Sequence, residues 1–119
     1  MIKVAVVGAA GRMGQRLVAN VMAAEDMTLA GALEAPASPA IGKDSGMVAG
    51  CGENGVKITA SPEEALANAD AVINFGTSGV LEITRIAVAR NATVVIGTTA
   101  LTDAEKAELK NMAEKGARI

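Results

Sequence analysis

The chain has 119 residues, half of them hydrophobic and 20% charged, with a net charge of -2. This balance suits one domain with a real core, lacks the basic excess of a nucleic-acid binder, and contains no run approaching the ~18 apolar residues of a membrane span. With no histidine and a single cysteine, Cys51, imidazole catalysis, imidazole metal ligation and an internal disulfide are all excluded.

The N-terminus "MIKVAVVG" runs straight into a core-like segment, without the basic start and cleavage site of a signal peptide. A reducing, cytoplasmic setting is the expectation. Ile2 to Val7 is nearly continuous in apolar residues and rich in valine, the pattern of a strand buried on both faces. From about Gly11 to Ala24 the period becomes helical. Met13, Leu17, Val21 and Ala24 form an apolar stripe, with Arg12, Arg16 and Asn20 as a polar row beside it. Met27 to Leu33 reads as a second strand, closed by Glu34.

Ala35 to Val56, with two prolines and five glycines, reads as a long loop with room for a helical turn; Lys57 to Thr59 suggests a short strand. Ser61-Pro62-Glu63-Glu64 is a helix start, with Ser61 as cap, Pro62 at the first position and Glu64 closing a capping box. Ala71 to Phe75 is a buried strand, and Thr77-Ser78-Gly79 leads into a helix ending near Arg90. Thr93 to Ile96 is another strand. Thr102 and Glu105 make a second capping box for a helix ending near Gly116, after which Ala117 to Ile119 reads as a strand just begun. This alternation predicts an α/β fold: a doubly wound parallel sheet with helices on both faces, in three α/β/α layers, across residues 1–119.

Such sheets bind ligands at the carboxyl ends of their strands. Gly8 permits a sharp exit from the first strand, Gly11 lets a pyrophosphate approach the backbone, and Gly14 lets the first helix pack closely. The positive end of that helix faces the same place. The spacing is G-x-x-G-x-x-G rather than the commoner G-x-G-x-x-G. Context strengthens it, because Glu34 lies twenty residues past Gly14, where a carboxylate can accept from an adenosine ribose. The competing reading is a tight turn that binds nothing. "GKDSG" at 42–46 is not a phosphate-binding P-loop, since Ala37 stands where that motif needs glycine and Asp44 where it needs Ser or Thr. Lys43 and Asp44 read as shaping the loop or as a solvated charge pair. Met13 reads as core, and Glu63, Glu64, Glu105 and Glu108 as caps or solvated faces.

"VAVVGAAGRMG", a glutamate closing the second strand, "GKDSG" and "VVIGTT" together resemble the dihydrodipicolinate reductase (4-hydroxy-tetrahydrodipicolinate reductase) family of bacterial lysine and diaminopimelate synthesis. The resemblance spans essentially the whole chain and implies a Rossmann-like cofactor-binding half of an NAD(P)H-dependent oxidoreductase. It implies that Gly8, Ala9, Ala10, Gly11, Arg12 and Met13 hold the cofactor pyrophosphate and Glu34 its adenosine ribose. Phe75, Gly76 and Thr77 would flank the nicotinamide ribose, and Gly97, Thr98 and Thr99 would lie near the nicotinamide. No metal site and no catalytic residue is expected in this chain.

Three departures from the family pattern carry information. Ala35 stands where the family usually has arginine, so NADH is expected to bind better than NADPH, although Arg12 offers partial compensation. Asn74-Phe75-Gly76-Thr77-Ser78-Gly79 replaces the usual Asp-Phe-Thr with its following proline and acid, and Ala100 replaces a glycine. The family's second domain, with its histidine-rich substrate motif, catalytic lysine and tetramer interface, has no counterpart here. The chain alone is therefore expected to bind dinucleotide without turnover, to contact neither nucleic acid nor membrane, and to be open to self-association through exposed apolar surface. Two other readings stay open: a stand-alone nucleotide-sensing module, and the cofactor half of another dehydrogenase.

Overall fold

Runs of valine, isoleucine and alanine build a single parallel sheet in the computed structural model, which describes residues 1–98 and 101–119. The strands are β1 (Ile2–Val7), β2 (Met27–Leu33), β3 (Ala71–Asn74) and β4 (Thr93–Ile96), in the order β2-β1-β3-β4. β1 is central: Val7 pairs with Leu33 on one side and with Asn74 on the other. The chain leaves β1 toward β2, and later leaves β3 toward β4 in the opposite direction. The crevice beyond the carboxyl ends of β1 and β3 is therefore the topological switch point, where open α/β sheets take their ligands.

The helices are α1 (Arg12–Ala23), α2 (Ser45–Val48), α3 (Pro62–Leu66), α4 (Val80–Ala89) and α5 (Asp103–Glu114). Alternation along β1 sends Val4 and Val6 to one face, where they meet Val18 and Val21 of α1 and Ile58. Ala5 and Val7 go to the other face, among Leu66 of α3, Val72, and Ile83 and Ala87 of α4. α5 packs beside α4. Full burial of each such aliphatic side chain contributes about 1.5–3 kcal/mol. The helices thus lie on both faces of the sheet, as the alternation predicts. On β4, Val95 points away from buried Val94 and is 53% exposed.

Several local expectations give way to tertiary context. The buried side of α1 is Gly14, Val18 and Val21, and Met13 is 42% exposed rather than in the core, because the sheet lies about one residue round from the assumed stripe. Lys57 to Thr59 forms only isolated bridges, Asp44 to Lys57 and Leu33 to Thr59, and no strand. Ser61 caps α3 by accepting from Glu64 N (3.3 Å), but the reciprocal half of the box is relayed. Ser61 N donates to Thr59 Oγ1 (3.1 Å), whose hydroxyl donates to Glu64 Oε2 (2.9 Å). At the C-terminus, Arg118 O accepts from Val94 N (2.8 Å), a single rung beside β4.

The loop between β2 and α3 is tied by Asp44, which is not one half of a solvated pair. Its carboxylate accepts from the N–H groups of Gly46, Met47, Asn54 and Gly55 at 2.8–3.3 Å. Burial pushes this carboxyl up, but the amide donors outweigh burial and hold it below its ordinary value.

Candidate functional site

β1 ends at the switch point, and Gly8 turns the chain there at φ +83°, a left-handed conformation that glycine adopts without strain. The turn is closed by its own hydrogen bonds. Gly8 N and Ala9 N donate to Leu33 O at 2.9 and 3.2 Å, and Gly11 N donates to Gly8 O at 3.0 Å. Ala10 N donates to Glu34 Oε2 at 2.8 Å. α1 then begins at Gly11 with no side-chain cap. Among the described residues none accepts from the N–H groups of Arg12, Met13 and Gly14. Three backbone donors and the positive end of a twelve-residue helix are thus left at the crevice. Gly14 makes this geometry possible: a Cβ there would sit 1.8 Å from Gly8 O. Ala9 is buried, so only its backbone faces the turn, whereas Arg12 and Met13 are exposed at the rim.

Glu34, just past β2, stands across from that turn. Besides Ala10 N, its carboxylate accepts from Ala35 N at 3.2 Å, so both oxygens are oriented by backbone amides. Beside it opens a cavity of about 340 Å³ that reaches from Gly8 and Glu34 to Gly76, Thr77 and the first turn of α4. That size lies at the lower end for small-molecule pockets. The sequence reading misses part of this lining: Pro36, Pro62, Glu82 and Ile83. Pro62 is legible only as a helix start, and no local signal says that the start of α4 turns its side chains toward Glu34.

Beyond β3 and β4 a second group assembles. Phe75 N donates to Val7 O (3.0 Å), and Gly97 N to Asn74 O (2.9 Å). The Phe75 ring lies over Gly97, where an added Cβ would come within 2.1 Å of Cζ. The three residues expected to act together after β3 therefore divide: Gly76 and Thr77 line the Glu34 cavity, while Phe75 turns toward Gly97. Thr98 follows Gly97 at the same strand end, and Thr99 lies outside the described residues, as does Ala100. Among the described residues no group of His, Cys, Asp and Glu could hold a metal ion, and no helix is long and apolar enough to cross a membrane.

A four-stranded parallel sheet wound in both directions, with a glycine turn and an acid at its switch point, defines a Rossmann-like α/β fold. The chain belongs to the dihydrodipicolinate reductase N-terminal family, whose model matches residues 2–119. It is 45% identical over 107 residues to a 4-hydroxy-tetrahydrodipicolinate reductase of Pelobacter propionicus, covering 89% of this chain and 40% of that protein. A namesake from Methanobrevibacter smithii is 43% identical over 118 residues, covering 94% of this chain and 43% of the relative. Among solved structures, a dipicolinate-bound dihydrodipicolinate reductase from Paenisporosarcina superposes with TM-score 0.71 at 26% identity, over 97% of this chain and 44% of the other. The chain thus spans well under half the length of the relatives it matches.

Proposed function

We propose that this chain is the cofactor-binding part of an NAD(P)H-dependent reductase of a cyclic unsaturated dicarboxylate. The observation that carries the reading is the uncapped start of α1 beside the Glu34 cavity. Among the described residues the N–H groups of Arg12, Met13 and Gly14 have no acceptor, as a bound diphosphate requires, and the missing Cβ of Gly14 brings them against the turn. On this reading Gly8 to Met13 cradle the pyrophosphate and Glu34 accepts from the adenosine ribose. The cavity toward α4 takes the adenine side, and Phe75, Gly97, Thr98 and Thr99 frame the nicotinamide side. When bound, the nicotinamide supplies the hydride. The chain's own residues bind and orient. The names of its relatives support the reductase class and the substrate class.

NADH is the better ligand on electrostatic grounds. Glu34 is held in place by two amides, so its charge cannot swing away from an added 2′-phosphate. Ala35 offers no cation there, and Arg12 lies exposed at the rim. Titration calorimetry with NADH, NADPH and ADP-ribose tests the reading. NADH should bind tightest, ADP-ribose measurably, and the purified chain should show no reductase turnover. Absence of heat with all three ligands would overturn the cofactor assignment, and equal or tighter NADPH binding would overturn the preference.

A further inference from the structure

Asn74 closes β3 at the switch point. Its neighbour across the sheet, Val7, immediately precedes the glycine turn. The side chain is completely buried (0% exposed), yet it lines no part of the Glu34 cavity. Its Oδ1 accepts from Gly76 N at 2.8 Å, bending the chain two residues on. Its Nδ2 finds no acceptor among the described residues. An interior donor without a partner is unfavourable, and each such group in a folded protein calls for a reason. A leucine of similar size would remove that orphan. Gly76 N–H, in a half-buried residue, would be left to turn to water.

We infer that Asn74 is a positioning residue for nucleotide binding: through its bond to Gly76 it sets the segment from Phe75 to Gly79 against the glycine turn. The packing at that point leaves little slack. A Cβ on Gly8 would meet Phe75 C at 3.0 Å and Gly76 N at 3.1 Å, and one on Gly76 would meet Asn74 Oδ1 at 3.1 Å. From Gly76 the backbone continues through Thr77 and Ser78 to Gly79, which opens α4 in a left-handed conformation, φ +67°, without a side-chain cap. Both walls of the crevice thus depend on where Gly76 sits: the glycine turn touches it directly, and the start of α4 is hung from it. Asn74 keeps an amide without an acceptor among the described residues because its carbonyl oxygen is needed at that spot.

The inference rests on the proposed cofactor reading, and its experiment separates the two. Asn74→Leu and Asn74→Asp are compared with the unchanged chain by ADP-ribose and NADH calorimetry, urea denaturation and hydrogen exchange at Gly76 N–H. The leucine variant should weaken both ligands at least tenfold and lose Gly76 protection, while its urea midpoint stays level or rises. The aspartate variant keeps an acceptor for Gly76 and should retain affinity within threefold and protection at Gly76. Unchanged binding by the leucine variant, or binding loss in step with a falling midpoint in both variants, would overturn the role of Asn74 with the cofactor reading intact. If the unchanged chain binds neither ligand, the cofactor reading itself fails, whatever the variants do.

Discussion

The five helices among the described residues begin in two different ways. α2, α3 and α5 start on a side chain that accepts from their first free amides: Asp44, Ser61 and Thr102. α1 and α4 start on glycines, Gly11 and Gly79, with no side-chain cap. The uncapped pair follows β1 and β3, the two central strands that border the switch point; of the capped helices, α3 begins at Pro62 on the wall of the Glu34 cavity, while α2 and α5 begin in the loop after β2 and after β4. A glycine cap forgoes only a few tenths of a kcal/mol relative to a side-chain cap, and at both α1 and α4 it leaves the first amides without a side-chain acceptor, as the proposed cofactor site requires.

The largest effect is expected at Gly14. Gly14→Ala would drive a methyl into Gly8 O. Urea denaturation should show a loss of about 3 kcal/mol, with NADH binding abolished. A loss below about 1 kcal/mol would mean that helix and turn are not tightly apposed. Next in size is Glu34→Gln. Replacing the charged acceptor by a neutral one should cost about 1.5–3 kcal/mol of NADH affinity, roughly 10- to 150-fold, with NADPH changing far less. Equal losses for the two cofactors would take Glu34 away from the ribose.

Gly11→Ser sharpens the contrast by converting an uncapped start into a capped one. The backbone there, φ -73° and ψ 171°, is one that serine adopts readily. NADH affinity should fall about tenfold while stability shifts by less than about 1 kcal/mol, because the new hydroxyl competes with the diphosphate for the same donors. At the capped helices the pattern should reverse. Thr102→Ala should lower stability by about 1 kcal/mol in thermal or urea melts and leave cofactor affinity unchanged.

The smallest effect concerns pH. Asp44 has a folded-state value below its unfolded one, so its contribution to stability is complete above the ordinary aspartate value of about 3.9 and fades only as pH falls through the lower folded value. Urea midpoints compared between the chain and Asp44→Asn should therefore differ by a constant amount from neutral pH down to about 5. Convergence of the two should begin only in stronger acid. Convergence already at neutral pH would contradict the amide knot.

What the sequence makes legible follows from how local each feature is. β1 announces itself through six consecutive residues, and the Thr102–Glu105 box closes on both sides as read, since its partners are three residues apart. The close packing at Gly14 is likewise visible in the spacing. Features that depend on distant partners are not. Glu64 is drawn off by Thr59, and Asp44 collects amides as far along the chain as Gly55. The exposure of Met13 depends on where the sheet meets α1, a matter of tertiary packing. For the site, Glu34 and the glycine turn are readable, whereas the contribution of α4 to the cavity wall and the orphan amide of Asn74 are products of the folded geometry.

The central claim, that the bare amides opening α1 receive a diphosphate, is tested most directly by amide NMR of the isotope-labelled chain during titration with ADP-ribose. The N–H signals of Arg12, Met13 and Gly14 should shift furthest and move together with a single dissociation constant, while those following Asp44 and Thr102 stay still. Saturable binding that leaves the three α1 signals in place would contradict it.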